Sequence, residues 1–191
     1  MSARQNPTDA LASSVVLVTG VMAAGKSTVA QALAERLPRA AHVRGDVFRR
    51  WMVSGREELT PDASPEAEAQ LRLRYRLAAA AADGYAAAGW TAVVQDVVLG
   101  EDLVHYVGLV RTRPLYVVVL APGQEAVARR EAGRGKKGYG AWSVAELDRS
   151  LREETPRLGL WLDTSAQTPE ETVDAVLRRL AEARVTTPGP V

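Results

Sequence analysis

The sequence predicts a three-layer α/β domain, a parallel sheet with helices on both faces. Three observations carry the prediction. Short β-branched runs alternate with longer stretches of helical period, the order that βα units produce. The run at 15–19 is continuously apolar, as expected of a strand covered on both faces. It leads at once into a glycine-bearing turn and then a clean amphipathic stretch.

The remaining elements follow in order. Residues 26–37 place Val29, Ala30, Leu33, Ala34 and Leu37 at helical spacing, closed by Pro38. A weaker strand is expected over 40–44 and a short helix over 47–53. Residues 54–64, with Pro61 and the following Pro65, carry turn chemistry and read as a connection. Ser64 then caps a long helix with Pro65 in its first turn, running to about residue 88 before Gly89. Strands are expected over 90–98, 115–120 and 160–163, and helices over 101–110, 123–132, 143–154 and 169–183. The last opens with Thr168-Pro169-Glu170-Glu171, a strong start signal.

A chain of 191 residues, 47% hydrophobic and 25% charged, can bury one core without staples. No repeat or linker divides it, so 1–191 reads as a single domain, with 1–12 and 184–191 as loose termini. A net charge of +1 argues against a dedicated nucleic-acid binder. The absence of cysteine excludes disulfides and thiolate metal sites and suits a reducing cytoplasm. The apolar run at 15–18 is too short for a signal segment or membrane span.

The chemistry concentrates at one motif. Gly20-Val21-Met22-Ala23-Ala24-Gly25-Lys26-Ser27 matches G-x-x-x-x-G-K-[ST] in full, and Thr28 follows. A chance match in a chain of this size is on the order of one in a hundred. Gly20 and Gly25 permit backbone angles and close approach that a Cβ would block. The loop, Ala23 and Ala24 included, then aims N–H groups at phosphates beside a helix N-terminus. Lys26 adds a cation at the β- and γ-phosphates, and the Ser27 hydroxyl completes a Mg²⁺ shell. These residues predict bound nucleoside triphosphate.

Other polar residues fall at the carboxyl ends of strands, where open α/β sheets bind ligands. Asp96 ends the third strand and is the metal-holding candidate; a cap or loop role is the alternative. Asp46 anchors an acceptor hydroxyl or takes its proton, or else caps the short helix after it. Thr164 and Ser165 follow the fifth strand. Residues 128–140 hold five basic residues and four glycines and read as a lid over the triphosphate. Arg129, Arg130 and Arg134 are its candidates for stabilising the moving phosphoryl group. Of the 24 basic residues only Lys26, Lys136 and Lys137 are lysines. Structural or solvent roles are expected for His42 and His105, core or pocket-lining roles for Trp51, Trp90, Trp142 and Trp161. Arg72, Arg74 and Arg76 belong to a solvated or pocket-facing side of the long helix.

The P-loop, the Gly45-Asp46 pair, the Gln95-Asp96-Val97-Val98-Leu99-Gly100 segment, the Arg/Gly stretch and Leu160-Trp161-Leu162-Asp163-Thr164-Ser165 together resemble the chloramphenicol phosphotransferase-like small-molecule kinases. The resemblance covers about residues 14 to 183. It implies a P-loop kinase fold with a five-stranded parallel sheet in the order 2-3-1-4-5, and transfer from ATP with Mg²⁺ to a hydroxyl of a small molecule, an antibiotic among the candidates. It maps Asp46 onto the aspartate that deprotonates the acceptor, places Arg129, Arg130 and Arg134 on the lid arginines, and sets residues 164–167, with Thr164, Ser165 and Gln167, beside adenine. Gln95 departs from the paired aspartates of that family, and 54–64 shares no motif with its antibiotic-binding region, which leaves the acceptor open. A zeta-toxin-like nucleotide-sugar kinase and a non-catalytic nucleotide switch are the alternatives. The sequence contains no Asn-Lys-x-Asp guanine motif.

Overall fold

The computed structural model describes residues 7–133 and 141–186. Its first elements are α1 (Pro7–Ala10) and β1 (Val15–Gly20), the latter buried at every position. The P-loop then feeds α2 (Lys26–Glu35), whose Val29, Ala30 and Leu33 face the core. β2 (Ala40–Arg44) runs directly into α3 (Gly45–Arg50). The helix starts two residues before the expected position, and its N-cap residue is Arg44, without a side-chain cap.

The long helix, α4 (Pro65–Ala87), begins as predicted: the Ser64 hydroxyl accepts the Ala67 N–H at 3.0 Å, and Pro65 occupies the first turn. Its buried face is mostly alanine, through Ala78, Ala79, Ala82 and Ala86, which lets the helix lie close on the sheet. β3 (Thr91–Gln95) is shorter than predicted. Past Asp96 the ladder is replaced by a side chain, because the Thr19 hydroxyl both donates to Val98 O at 2.9 Å and accepts the Val98 N–H at 3.0 Å.

The second half contains α5 (Asp102–Leu109), β4 (Leu115–Leu120), α6 (Gln124–Ala132) and α7 (Val144–Arg149), the last opened by a Ser143–Glu146 capping box. The helix expected over 143–154 changes pitch to a π-helix at Ser150–Glu154, with the Thr155 hydroxyl closing back on Ser150 O at 2.8 Å. β5 (Leu160–Leu162) precedes α8 (Pro169–Arg178), capped by Thr168 and Glu171 as predicted. Arg179 leaves helical geometry there, so the expected 169–183 helix divides and α9 (Leu180–Ala183) follows.

The five parallel strands stand in the order β2-β3-β1-β4-β5, as the family resemblance implies. Near both limits of the described residues the chain packs on the domain. Leu11 is fully buried, and its carbonyl accepts the Thr91 hydroxyl at 2.7 Å. At the other end β6 (Arg184–Val185) pairs antiparallel with the start of β4. Two-residue pairings of this kind have too little pattern to stand out in a sequence.

One buried carboxylate ties the two halves of the sheet's cover together. Asp83 of α4 accepts the backbone N–H groups of Arg111 at 3.1 Å and Thr112 at 2.9 Å, and the Thr112 hydroxyl at 2.8 Å, just before β4. Burial pushes its carboxyl up, but the Thr112 and Arg111 hydrogen bonds together outweigh that and hold it below its ordinary value. The unfolded chain therefore binds a proton more readily than the folded one, so this stabilisation is present above the ordinary carboxylate range and fades as the pH falls through and below it. Replacing Asp83 by Ala should cost about 2–4 kcal/mol at neutral pH, because several donors lose a charged acceptor. Urea unfolding at stepped pH values checks both points: the gap between wild type and variant narrows on acidification.

Candidate active site

At the top of β1 the backbone makes a turn that only glycine suits. Gly20 has φ 141°, and a Cβ there would stand 2.3 Å from Leu120 O on the neighbouring strand. Ala23 (φ 59°) and Gly25 (φ 96°) are also left-handed. Such alternation turns successive N–H groups into one concavity suited to anions. Gly25 is also the N-cap of α2 and offers no side-chain cap, so the positive end of that helix is directed into the same place.

The concavity opens into a cleft of about 600 Å³ that also reaches Asp46 and Arg74. Lys26 is nearly buried, with Nζ donating to Val21 O at 2.7 Å across the loop. The Ser27 hydroxyl donates to Gln95 Oε1 at 2.6 Å. Thr28 lines the cleft as well.

Of the lid arginines, only Arg130 reaches this cleft among the described residues. From α6 it donates to Ala24 O at 3.2 Å and to Thr164 O at 2.6 Å, joining the P-loop to the turn after β5. Arg129 points elsewhere and pairs loosely with Glu125 at 3.9 Å on an exposed face. The lid expected over 128–140 begins within the last turns of α6; residues 134–140, with Arg134, Lys136 and Lys137, lie outside the described residues. Thr164 is 2% exposed, and its Oγ1 has no hydrogen-bond partner among the described residues. Gln167 lines the cleft and accepts the Thr172 hydroxyl at 3.1 Å. Ser165 does not join them: its hydroxyl donates to Asp163 and accepts the Gly123 N–H at 2.8 Å, knitting two loops together.

Both aspartates lie in the cleft, in different states. Asp46 is the second residue of α3, so it is not that helix's N-cap. One oxygen pairs with Arg50 at 3.2 Å on a half-exposed surface, while Oδ1 is buried and without a partner among the described residues. Asp96 is 3% exposed and gripped by Arg74, which donates from Nε at 3.1 Å and from Nη2 at 2.6 Å, while Val97 N–H adds a bond at 2.8 Å. Burial holds its carboxyl above the ordinary value, and Arg74 offsets only part of that. The metal-holding expectation for Asp96 thus meets a carboxylate already committed to a guanidinium. Tyr75, the next residue of α4, donates to Val97 O at 2.9 Å.

Sequence reasoning left Arg74 in an undivided series with Arg72 and Arg76. The signal that singles it out is its place on the stripe of Ala67, Leu71 and Ala78, the face of α4 turned inward. Gly45 was read only as part of a Gly-Asp pair. It contacts the Asp96 carboxylate so closely that a Cβ would lie 2.0 Å from Oδ2. Trp51 corrects another expectation: it is 70% exposed and stacks edge-on against Phe48, away from core and cleft lining. His42 Nδ1 lies 2.8 Å from Gln31 Oε1. Among the described residues no group of three or more His, Cys, Asp or Glu could hold a metal.

A family model for chloramphenicol phosphotransferase-like proteins matches residues 13–181. The chain belongs to that family. Solved structures of similar fold include several kinases. A sugar kinase from Janibacter sp. HTCC2649 is 22% identical, with TM-score 0.66 over 88% of this chain and 95% of that one. The tunicamycin resistance protein of Deinococcus radiodurans is 15% identical, with TM-score 0.63 over 90% and 98%. The APS kinase of Mycobacterium tuberculosis, solved with AMPPNP and APS, is 18% identical, with TM-score 0.64 over 88% and 97%. No curated protein matches the sequence. At these identities the structural likenesses speak to the fold, and the family rests on the sequence match.

The close contact at Gly45 yields a paired prediction. Gly45→Ala should destabilise by about 1–3 kcal/mol through overpacking against Asp96. Gly84→Ala, on the exposed face of α4 with nothing within 4 Å of the new Cβ, should stabilise by roughly 0.5–1 kcal/mol. Thermal or urea unfolding of the two variants beside wild type reads both signs.

Proposed function

We propose that the chain is an ATP-dependent O-phosphotransferase that moves the γ-phosphate to a hydroxyl of a small molecule, an antibiotic being one candidate. The observation that carries this reading is the continuity of one cleft, from the P-loop with Lys26 and Ser27 to Asp46, whose Oδ1 is buried and without a partner among the described residues. Phosphate binding and a basic oxygen share one space, as in-line transfer between two bound substrates requires.

Each residue then has a role. Gly20 to Thr28 cradle the triphosphate, and the Lys26 ammonium exchanges the Val21 carbonyl for phosphate oxygens. Arg130 joins the two walls of the nucleotide end, where Thr164 and Gln167 face the base. Arg129 and Arg134 complete the proposed lid. Asp46 orients the acceptor hydroxyl and takes its proton as the oxygen attacks. Mg²⁺ fits the residues present, since it takes few protein ligands and all of them oxygens. Ser27 supplies a hydroxyl whose proton is already turned to Gln95. When bound, the ion neutralises charge on the phosphate oxygens.

The kinases among the structural neighbours include a sugar kinase and a gluconokinase, which supports a small hydroxylated acceptor. No described helix is long and apolar enough to cross a membrane. The reading keeps 1–191 as one domain working in the cytoplasm, without nucleic acid.

A screen of hydroxylated metabolites and antibiotics for acceptor-stimulated ADP release tests the reading as a whole; nucleotide held tightly with no stimulated turnover would favour a switch. Lys26→Ala should fold yet lose nearly all transfer, because most of the catalysis is electrostatic. Near-normal turnover in that variant sinks the assignment. Asp46→Asn should retain ATP affinity and thermal midpoint while single-turnover transfer falls by roughly 10²–10⁴-fold. Full activity would move the base elsewhere.

A further inference from the structure

The end of β3 differs from what a P-loop site ordinarily presents. There the strand supplies a carboxylate beside the P-loop hydroxyl, and the metal is held between them. In this chain the group that meets Ser27 is the amide of Gln95, at 2.6 Å. The nearby carboxylate comes one residue later and is engaged by Arg74. We infer that Gln95 is a neutral positioning residue for Ser27, and that Asp96 takes no part in holding the cation that accompanies the nucleotide. The inference rests on the reading that this cleft binds nucleoside triphosphate.

The argument is one of hydrogen-bond inventory and room. A serine hydroxyl has one proton and two lone pairs. With the proton given to Gln95 Oε1, Ser27 offers lone pairs to the cleft, the orientation a cation needs. Gln95 is 6% exposed, so this orientation is fixed by packing. An amide differs from a carboxylate in two respects here. It brings no negative charge, and its nitrogen presents two donors, which cannot accept from water bound to a cation.

Asp96 cannot make up the deficit. Arg74 engages both of its oxygens, Val97 N–H adds a bond to Oδ1, and Gly45 lies against Oδ2. The two side chains of the pair are 14% and 3% exposed. Swinging the carboxylate toward the cation would strand a guanidinium in a buried place, where an uncompensated charge is costly. On the β3 side the cation therefore meets a neutral hydroxyl and a neutral amide, and the nucleotide's own phosphates supply most of its negative partners. Nucleotide binding should depend only weakly on Mg²⁺.

Equilibrium titration with a fluorescent, non-hydrolysable ATP analogue, in excess Mg²⁺ and in EDTA, tests this without an acceptor. The readout is the ratio of the two affinities. For wild type it should be below about tenfold, and Gln95→Glu, of the same shape with a charge added, should raise it by about tenfold or more. Mn²⁺ titration followed by electron paramagnetic resonance, with the analogue bound, should show the same tightening. Should Gln95→Glu fail to fold, Gln95→Asp carries the same expectation. Removing the pair together, as Arg74→Met with Asp96→Leu, should leave the ratio within about twofold of wild type, since no buried charge is stranded. An unchanged ratio in the Gln95 variants, or a ratio that collapses when Asp96 is removed, overturns the inference while leaving the proposed kinase standing. A wild-type chain that binds no analogue under either condition overturns both.

Discussion

The end of the cleft around Asp46, proposed to take the acceptor, depends on one buried ion pair. Arg74 reaches from α4 to Asp96 at the end of β3, and Asp96 in turn supports Gly45 at the start of α3. Three elements from separate parts of the chain meet at a single carboxylate. Asp46 is the next residue after Gly45, so its position in the cleft is inherited from that contact. A buried pair of this kind adds little net stability compared with a well-packed apolar substitute, but leaving one member alone is expensive. Its value lies in geometry, because a bidentate guanidinium fixes both distance and plane.

The nucleotide side is held by different means. There the determinants are backbone conformations, with left-handed residues at Gly20, Ala23 and Gly25, and a strand carbonyl that leaves Gly20 no room for a side chain. Arg130 closes that end by bonding to two carbonyls rather than to a carboxylate. Its guanidinium is thus hydrogen-bonded to neutral oxygens, whereas that of Arg74 is paired with the Asp96 carboxylate. The two ends of one cleft thus differ in electrostatic character: cationic around the P-loop, near balance around Arg74 and Asp96.

This division also explains what could be read in advance. The strands, the P-loop and the capped starts of α4 and α8 are local patterns, and local patterns are visible in one sequence. Lys26, Ser27 and Asp46 belong to short motifs and were legible for that reason. The Arg74–Asp96 pair joins residues 22 positions apart, and nothing local marks either as the partner of the other. Asp96 taken alone looks like a metal ligand, and only the packing of α4 brings Arg74 onto it. The departure at Gln95 was visible as a substitution, but its partner Ser27 required the fold. The early start of α3, the split of the final helix and the two-residue β6 reflect tertiary contacts that outweigh weak local signals. Trp51 stands exposed because α3 ends beside it, something burial statistics for tryptophan do not foresee.

The alanine face of α4 has a further consequence. Large interdigitating side chains locate a helix by shape, each fitting one hollow on the surface beneath. A surface of Ala78, Ala79, Ala82 and Ala86 has shallow relief and can settle at several nearby registers with similar contact. What selects one register is a set of polar pins at fixed points along the rod: Arg74 and Tyr75 near the middle, Asp83 toward the C-terminal end. The helix is thus positioned as a dowel is, by where it is pinned rather than by the texture of its bed. Small shifts of the bed are absorbed, whereas moving a pin translates the whole length of α4 and everything that leans on it.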